Sequence, residues 1–467
     1  MISLSSNYRE NVARLTRDLR VGENFDIICK SLSVGDGEVT LFYIDGLIKD
    51  GEMQKLFAYF LTMRAMPQSA DEFLLCHMPY VECDVSDNGE EIEAMLFSGA
   101  ALMLGSTFGA RAMLIDARTY AARGTAEPEN DRVLRGARDG FVESLIVNTS
   151  LVRRRIRDTA LTMRHMTVGR ASKSDVVIAF MKGRADEKLV KYLEKKIGTL
   201  KTDALTMGHE SLAESLIRSR WYNPFPKIRY TERPDSAAAH ILEGSVIVLV
   251  DNSPAAMILP TSIFDFLQQS NDFFLPPLTG TYLRLVRHVV FWLTLFLTPL
   301  WLLGIQNAAL VPSFLRFALP QSTGGLPIYF QLLLTEFVID GLRMASMNTP
   351  DMLTNSLSVI GGLILGEYAI NIGWLTPEVI LYMSFVAIAN FTQTSVELGY
   401  AFKFLRIMLL TLVALFNFWG FYVGIAITLV LLITNRTVNG GHSYLYPLIP
   451  FSGRALLSLF IRRKKQD

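Results

Sequence analysis

Glu336, Asp340, Arg343 and Glu367 are ionisable residues set where the sequence is otherwise apolar. Residues 328–345 read as an apolar helix carrying the first three roughly one turn apart, and so on a single face. Facing lipid, each charge would cost at least about 2.5–3.5 kcal/mol near a bilayer midplane. The segment must therefore face protein or water, or lie at an interface. Two chemistries fit: the acids line a cation path, or Asp340 and Arg343 form an intramembrane salt bridge. Glu367, which follows a glycine-rich run, carries the same ambiguity, and Glu397, nearer a loop, is the weaker case.

Other residue sets suggest chemistry less strongly. Residues 150–166 read as an amphipathic helix bearing Arg153, Arg154, Arg155 and Arg157. Such guanidinium groups suit phosphate or lipid headgroups, although a solvated helix face is the plainer reading. Cys76-His77 with Cys83 has no fourth ligand nearby for zinc, and buried thiols are the simpler expectation. Three cysteines cannot build a disulfide framework. There is no Gly-x4-Gly-Lys phosphate loop, no strand-anchored Gly-x-Gly-x-x-Gly, no His-Glu-x-x-His and no Gly-x-Ser-x-Gly elbow. Neither an enzyme nor a cofactor or metal site is expected.

The elements that must position these groups change character near Pro276-Pro277. Residues 1–275 are rich in charge, whereas 282–435 are largely apolar. The net charge of +1 gives no electrostatic case for nucleic acid. The organisation expected is a polar leader (1–38), two cytosolic α/β subdomains (39–135 and 136–275), an all-α polytopic membrane domain (276–450) and a basic tail (451–467). In the soluble half, 39–44, 73–76, 112–116, 175–180 and 245–250 read as strands, with 94–104 strand-like or mixed. Residues 51–63, 185–197 and 209–218 read as helices. The alternation implies sheets covered on one face. The first residues lack the apolar core of a signal peptide, which favours a cytoplasmic N-terminal region.

In the apolar half, 289–305, 355–374 and 377–391 are span candidates, with Pro299 kinking the first. Gly361, Gly362 and Gly366 would let helices approach closely. Residues 404–434 are too long for one span, about 46 Å at ~1.5 Å per residue, and must tilt, protrude or break near Asn417, Gly420 and Gly424. A cytoplasmic N-terminus and the basic tail Arg462-Arg-Lys-Lys465 require an even number of crossings. Four follow if 328–345 does not cross. Six need 404–434 to divide, and its halves are short for spans. Four to six transmembrane or re-entrant helices are expected.

Several blocks together resemble a known family. Arg233-Pro234 is followed by Glu243-Gly244 and by Asp251-Asn-Ser-Pro254. Gln269-Ser-Asn-Asp-Phe-Phe274 precedes the first span, and Gly325-Leu-Pro-Ile328 and Ser358-Val-Ile-Gly-Gly-Leu-Ile-Leu-Gly366 follow. In this order they are similar to the GerA family, the A-type subunits of spore germination receptors. Gly366-Glu-Tyr-Ala-Ile370 and Thr376-Pro-Glu-Val-Ile-Leu-Tyr382 look most like its stage V sporulation protein AF branch. Glu367 stands where a glutamine is common and Thr394 where a proline is usual, which favours an accessory member over a nutrient receptor. The resemblance implies a spore inner-membrane protein with a two-part cytosolic α/β region. It also implies a homo-oligomeric ion channel, a pentamer by that likeness, acting with membrane lipid and other germination membrane proteins. A non-conducting scaffold or a nutrient germinant receptor subunit is the alternative.

Overall fold

The computed structural model describes residues 2–80, 82–119, 136–217, 221–269, 271–320, 324–348, 364–393, 395–438 and 443–461. The chain forms two units, 1–218 with 228–261 and 219–227 with 262–467, and so passes between them at 218/219, 227/228 and 261/262. The change of unit thus falls at Thr261, earlier than the Pro276-Pro277 boundary.

In the first unit the Asn7 side chain caps helix α1 (Tyr8–Asp18) by accepting from the Arg9 and Glu10 amides. Strands β1 (Ile27–Val34) and β2 (Gly37–Ile44) form a hairpin whose turn uses Gly35 at φ 58°. Helix α2 (Asp50–Thr62), a helical turn over Ala70–Glu72 and Phe73–His77, strand β3 (Cys83–Ser86), helix α3 (Gly89–Phe97) and strands β4 (Ala101–Gly105) and β5 (Ala112–Ile115) follow. The second half of the unit runs α4 (Leu145–Arg155), β6 (Leu161–Val168), β7 (Ser174–Met181), α5 (Glu187–Gly198), α6 (His209–Leu216), β8 (Arg229–Thr231), α7 (Pro234–Leu242), β9 (Val246–Val250) and β10 (Ala256–Leu259).

The sheets are ordered β1-β2-β4-β5-β3 and β6-β7-β9-β10-β8, with every neighbour antiparallel. Counted within each half, both orders read first, second, fourth, fifth, third. The first unit is therefore one topology used twice, an α/β region built on two antiparallel sheets.

Period-two alternation sorts the strand residues of the first sheet onto two faces. Val39, Leu41, Met103, Met113 and Ile115 pack with Met53, Leu56 and Phe60 of α2. Phe42, Leu102, Leu104 and Leu114 pack with Leu15 of α1 and with Ile92 and Leu96 of α3. Both faces are covered, which corrects the expectation of a half-covered sheet and explains why β2 and β4 read as continuous apolar runs.

Some element assignments move for identifiable reasons. Residues 1–38, expected as a leader, supply α1 and the edge strand β1. Residues 73–76 form a π-helical turn in place of a strand: the Ser69 hydroxyl caps the start by accepting from Glu72, and Phe73 is buried between Phe60 and Phe108. Residues 94–104 split into the end of α3, stopped at Gly99 with φ 106°, and β4. The arginine-rich stretch 150–166 closes α4 at Arg155 and then becomes β6.

The second unit holds α8 (Pro277–Gln306), α9 (Ile328–Asn348), α10 (Pro377–Phe391), α11 (Val396–Thr434) and α12 (Gly453–Phe460). Among the described residues, α8 and α11 are long and apolar enough to cross a membrane, and α10 is a shorter apolar helix. Gly361 and Gly362, the expected packing glycines, lie outside the described residues.

Helix α11 is a hairpin. At Asn417 the backbone leaves the helical region, with φ 51° and ψ −129°. A Cβ on Gly420 would stand 1.8 Å from the Leu412 carbonyl oxygen, and one on Gly424 would stand 2.5 Å from Leu409 Cδ2. In a straight helix residues eight apart are separated by about 12 Å, so these approaches require the chain to fold back. Gly420, Gly424, Thr428 and Leu432 form the buried stripe of the returning arm. The long segment therefore does divide, at the first of the three residues expected to break it.

The outgoing arm runs parallel to α8: Phe402 packs on Phe291 at 4.2 Å, Arg406 donates to the Thr294 carbonyl, and Asn417 exchanges amide hydrogen bonds with Asn307. The returning arm then carries Leu432 to the cluster of Phe291 and Phe402. Arg284 of α8 donates to the Ser458 carbonyl of α12 at 2.8 Å. The helical part of this unit thus begins and ends at the same end. Residues 221–227 pack there too, with Phe225 in that cluster and Asn223 donating to the Leu431 carbonyl.

Candidate functional site, a charge zipper between two helices

Glu336 and Asp340 stand one turn apart on α9. Lys403 and Arg406 stand nearly one turn apart on the outgoing arm of α11. Arg406 Nε donates to Glu336 Oε1 at 2.5 Å and Nη1 to the Thr294 carbonyl at 2.7 Å, in the stretch of α8 interrupted by Pro299. Lys403 Nζ lies 3.5 Å from Glu336 Oε2, donates to the Glu336 carbonyl at 3.1 Å and pairs with Asp340. Arg406 is fully buried and the Glu336 side chain is 4% exposed. Asp340, 32% exposed, stands at the edge of the set, and the other three are buried, so two carboxylates and two cations cancel where an isolated buried ion would not be tolerated.

Flanking contacts extend the set. Tyr329 and Thr411 hydroxyls are 3.0 Å apart, and the Arg343 guanidinium lies over the Tyr400 ring at 5.2 Å. Along 329, 336, 340 and 343 the partners fall through 411, 406, 403 and 400, so α9 runs antiparallel to this arm. Gln331, also buried, holds the entry to α9 by donating to the Leu326 carbonyl and accepting from the Thr376 amide.

The structure brings Glu336 and Asp340 together, but the partner of Asp340 is Lys403 and not Arg343. Glu367 is exposed in the π-helical turn Ile364–Tyr368 and makes none of these contacts, and Gly366 is half-buried beside it. Sequence reasoning missed both cations: Lys403 stands just before the apolar run that starts at Phe404, and Arg406 stands inside that run without being singled out. The signal that could have found them is their own spacing, which presents two cations on one face against two acids on another.

The residues of the Arg-Pro, Glu-Gly and Asp block build helix ends in the first unit. Arg233, fully buried, is the N-cap residue of α7, with Pro234 in its first turn. Its guanidinium grips Asp235 at 3.0 and 2.6 Å and donates to the Ala137 carbonyl. Glu243 ends α7, and Gly244 at φ 100° turns the chain where a Cβ would meet the Arg184 carbonyl oxygen at 2.9 Å. Asp251 accepts from the Leu145 amide at the start of α4, and Pro254 lies exposed beyond it.

The arginine cluster is likewise structural in part. Arg153 is buried and holds Asp26 through Nε at 2.8 Å and Nη2 at 3.1 Å, while Arg155 pairs with Asp139. Arg154 and Arg157 differ in being exposed or at the surface edge of the helix end. Cys76 is exposed on the π-helical turn, whereas burial, reinforced by Asp116 and Glu82, pushes the Cys83 thiol in β3 up to about 12. Among the described residues no three His, Cys, Asp or Glu side chains gather as metal ligands.

Comparison with known proteins gives a consistent set of likenesses. The family model described as Bacillus/Clostridium GerA spore germination protein matches residues 15–467. Stage V sporulation protein AF of Bacillus subtilis (strain 168) is 36% identical over 99% of this chain and 94% of that protein. Spore germination protein B1 of the same organism is 26% identical over 99% of this chain and 95% of that protein. The crystal structure of the N-terminal domain of the A subunit of the Bacillus megaterium spore germinant receptor GerK3 is 23% identical. It covers 55% of this chain and 95% of that one, with a TM-score of 0.41.

Proposed function

Since the chain belongs to the GerA family of spore germination proteins, we propose that it is a subunit of an oligomeric ion channel in the spore inner membrane, gated or assembled through its first unit. The carrying observation is the zipper of Glu336, Asp340, Lys403 and Arg406. Helices that only anchor a protein have no use for three buried charges and a fourth, Asp340, at their edge, and carboxylates among apolar helices are the groups a cation exchanges onto. On this reading, the form with both acids engaged by cations is the closed one. Conduction requires Glu336 and Asp340 to trade Lys403 and Arg406 for a permeant ion, with Glu367 as a further acidic station.

The parity of the membrane part supports this reading. On this reading α8 begins and the α11 hairpin ends at one end of the second unit, so the crossings are even in number, and the basic sequence that follows α12 makes that end the cytoplasmic one. The family supplies other germination membrane proteins as partners, with a homo-oligomer as the working assembly.

Complete charge compensation also favours a second reading, a non-conducting scaffold held together by the zipper. Spores carrying Glu336→Gln, Asp340→Asn and Glu367→Gln separate the two. An ion path predicts slowed monovalent-cation release on germination, and unchanged release refutes it. Purified protein that passes no monovalent ion in liposomes under any trigger supports the scaffold.

A further inference from the structure

The last described helix of the second unit has two apolar flanks, only one of which the described residues cover. On α12, Leu456 and Leu459 face inward, with Leu459 in the cluster of Phe291 and Phe402. Leu457 and Phe460, on the adjoining flank, are 41% and 38% exposed, and Ser458 stands on the polar side. The loop leading in also presents apolar side chains outward, Ile449 at 52% and Phe451 at 73%.

The level of α12 along α8 is set by two contacts. Arg284 donates to the Ser458 carbonyl, and the His288 and Phe460 rings lie 4.7 Å apart. Residues 284–288 are the last polar turn of α8 before the apolar run opens with Val289 and Trp292, both exposed. A helix at that level has water on one side and hydrocarbon on the other. Immediately after it the sequence reads Arg462-Arg-Lys-Lys465.

We propose that α12 and the loop before it form an interfacial lipid-binding element that lies in the plane of the bilayer and takes anionic headgroups. An uncovered apolar flank, a polar flank and an adjoining basic run are what such a helix needs, and the positive charge selects an anionic surface over a protein partner. The inference rests on α8 crossing a membrane, so the test reports both claims separately.

The full chain, with Cys29, Cys76 and Cys83 replaced by serine and melting as the parent does, carries one nitroxide in nanodiscs. The label is placed by Leu457→Cys on α12 or by Leu300→Cys at an exposed apolar position of α8. Accessibility to oxygen and to a water-soluble nickel complex reads depth. The expected result is a deep label at position 300 and a label just below the headgroups at 457. Label 457 should sink further in discs containing phosphatidylglycerol than in phosphatidylcholine alone, and Arg462→Gln, Arg463→Gln, Lys464→Gln and Lys465→Gln together should abolish that difference. A deep 300 with a water-exposed 457 overturns the inference alone. A water-exposed 300 overturns the membrane reading itself. Spin–spin broadening at 457 identifies a second copy as the cover and overturns lipid binding.

Discussion

Removing one half of the Glu336–Arg406 pair strands the other half. Glu336 Oε1 and Arg406 Nε are 2.5 Å apart, with side-chain exposures of 4% and 0%. Unit charges about 4 Å apart attract by about 4 kcal/mol at an effective dielectric near 20, and a stranded partner must also bear its desolvation. Glu336→Gln leaves the Arg406 charge with only neutral acceptors, the Thr294 carbonyl and the new amide oxygen, while Lys403 keeps Asp340. Arg406→Met leaves Glu336 with Lys403 alone at 3.5 Å. Each single change is expected to lower stability by about 3–5 kcal/mol. The double variant removes both charges together and should cost far less than the sum, giving a coupling energy of roughly 3 kcal/mol. The assay is an equilibrium denaturant titration of the purified full chain in mixed micelles, run as a double-mutant cycle. If the two single effects add to within about 0.5 kcal/mol, the pair is not coupled and the zipper argument fails.

Three further outcomes follow from the geometry. Asp26→Asn should destabilise the first unit by about 3–5 kcal/mol, because Arg153 is fully buried against it, and a smaller loss by chemical denaturation contradicts that pairing. Gly420→Ala should lower the melting temperature far more than Gly424→Ala, since the first Cβ meets a backbone oxygen and the second a movable leucine methyl; equal effects would mean the hairpin is not as close as described. Cys83, held protonated, should alkylate much more slowly than exposed Cys76 at pH 8. Its folded value lies above an unfolded one near ~8.5, so its contribution is present below that pH and lost as pH rises towards about 12. Cys83→Ala should flatten that alkaline limb of the melting curve.

Local signals carried far into this fold and stopped where partners are distant. The strands 39–44, 175–180 and 245–250 were legible because each is bounded by turn residues and packed on both faces. Residues 94–104 misled because α3 and β4 are both apolar and only Ser98-Gly99 divides them. The acids of the zipper stood out against apolar neighbours, but nothing near Glu336 in sequence announces Arg406, 70 residues on. Arg153 was equally opaque: its partner Asp26 lies 127 residues away, and charge alone suggested solvent. The repeated strand order was hidden for another reason. It is carried by pairing alone, between strands as far apart in the chain as β2 with β4 and β7 with β9.

The three passages of the chain between its units bear on how the protein can be cut apart. A fragment stopping near residue 217 would lack β8, β9 and β10, three of the five strands of the second sheet. One extended to Thr261 would complete that sheet but carry residues 221–227 as a foreign loop, baring Phe225 to water with its own core left behind. A single protease nick within 221–227 would leave the N-terminal piece held to the rest by the β7–β9 pairing of the second sheet and not by a covalent bond, so gel mobility under denaturing conditions would change while the folded particle stayed whole. An excised soluble piece would be better behaved with Phe225 replaced by a polar residue.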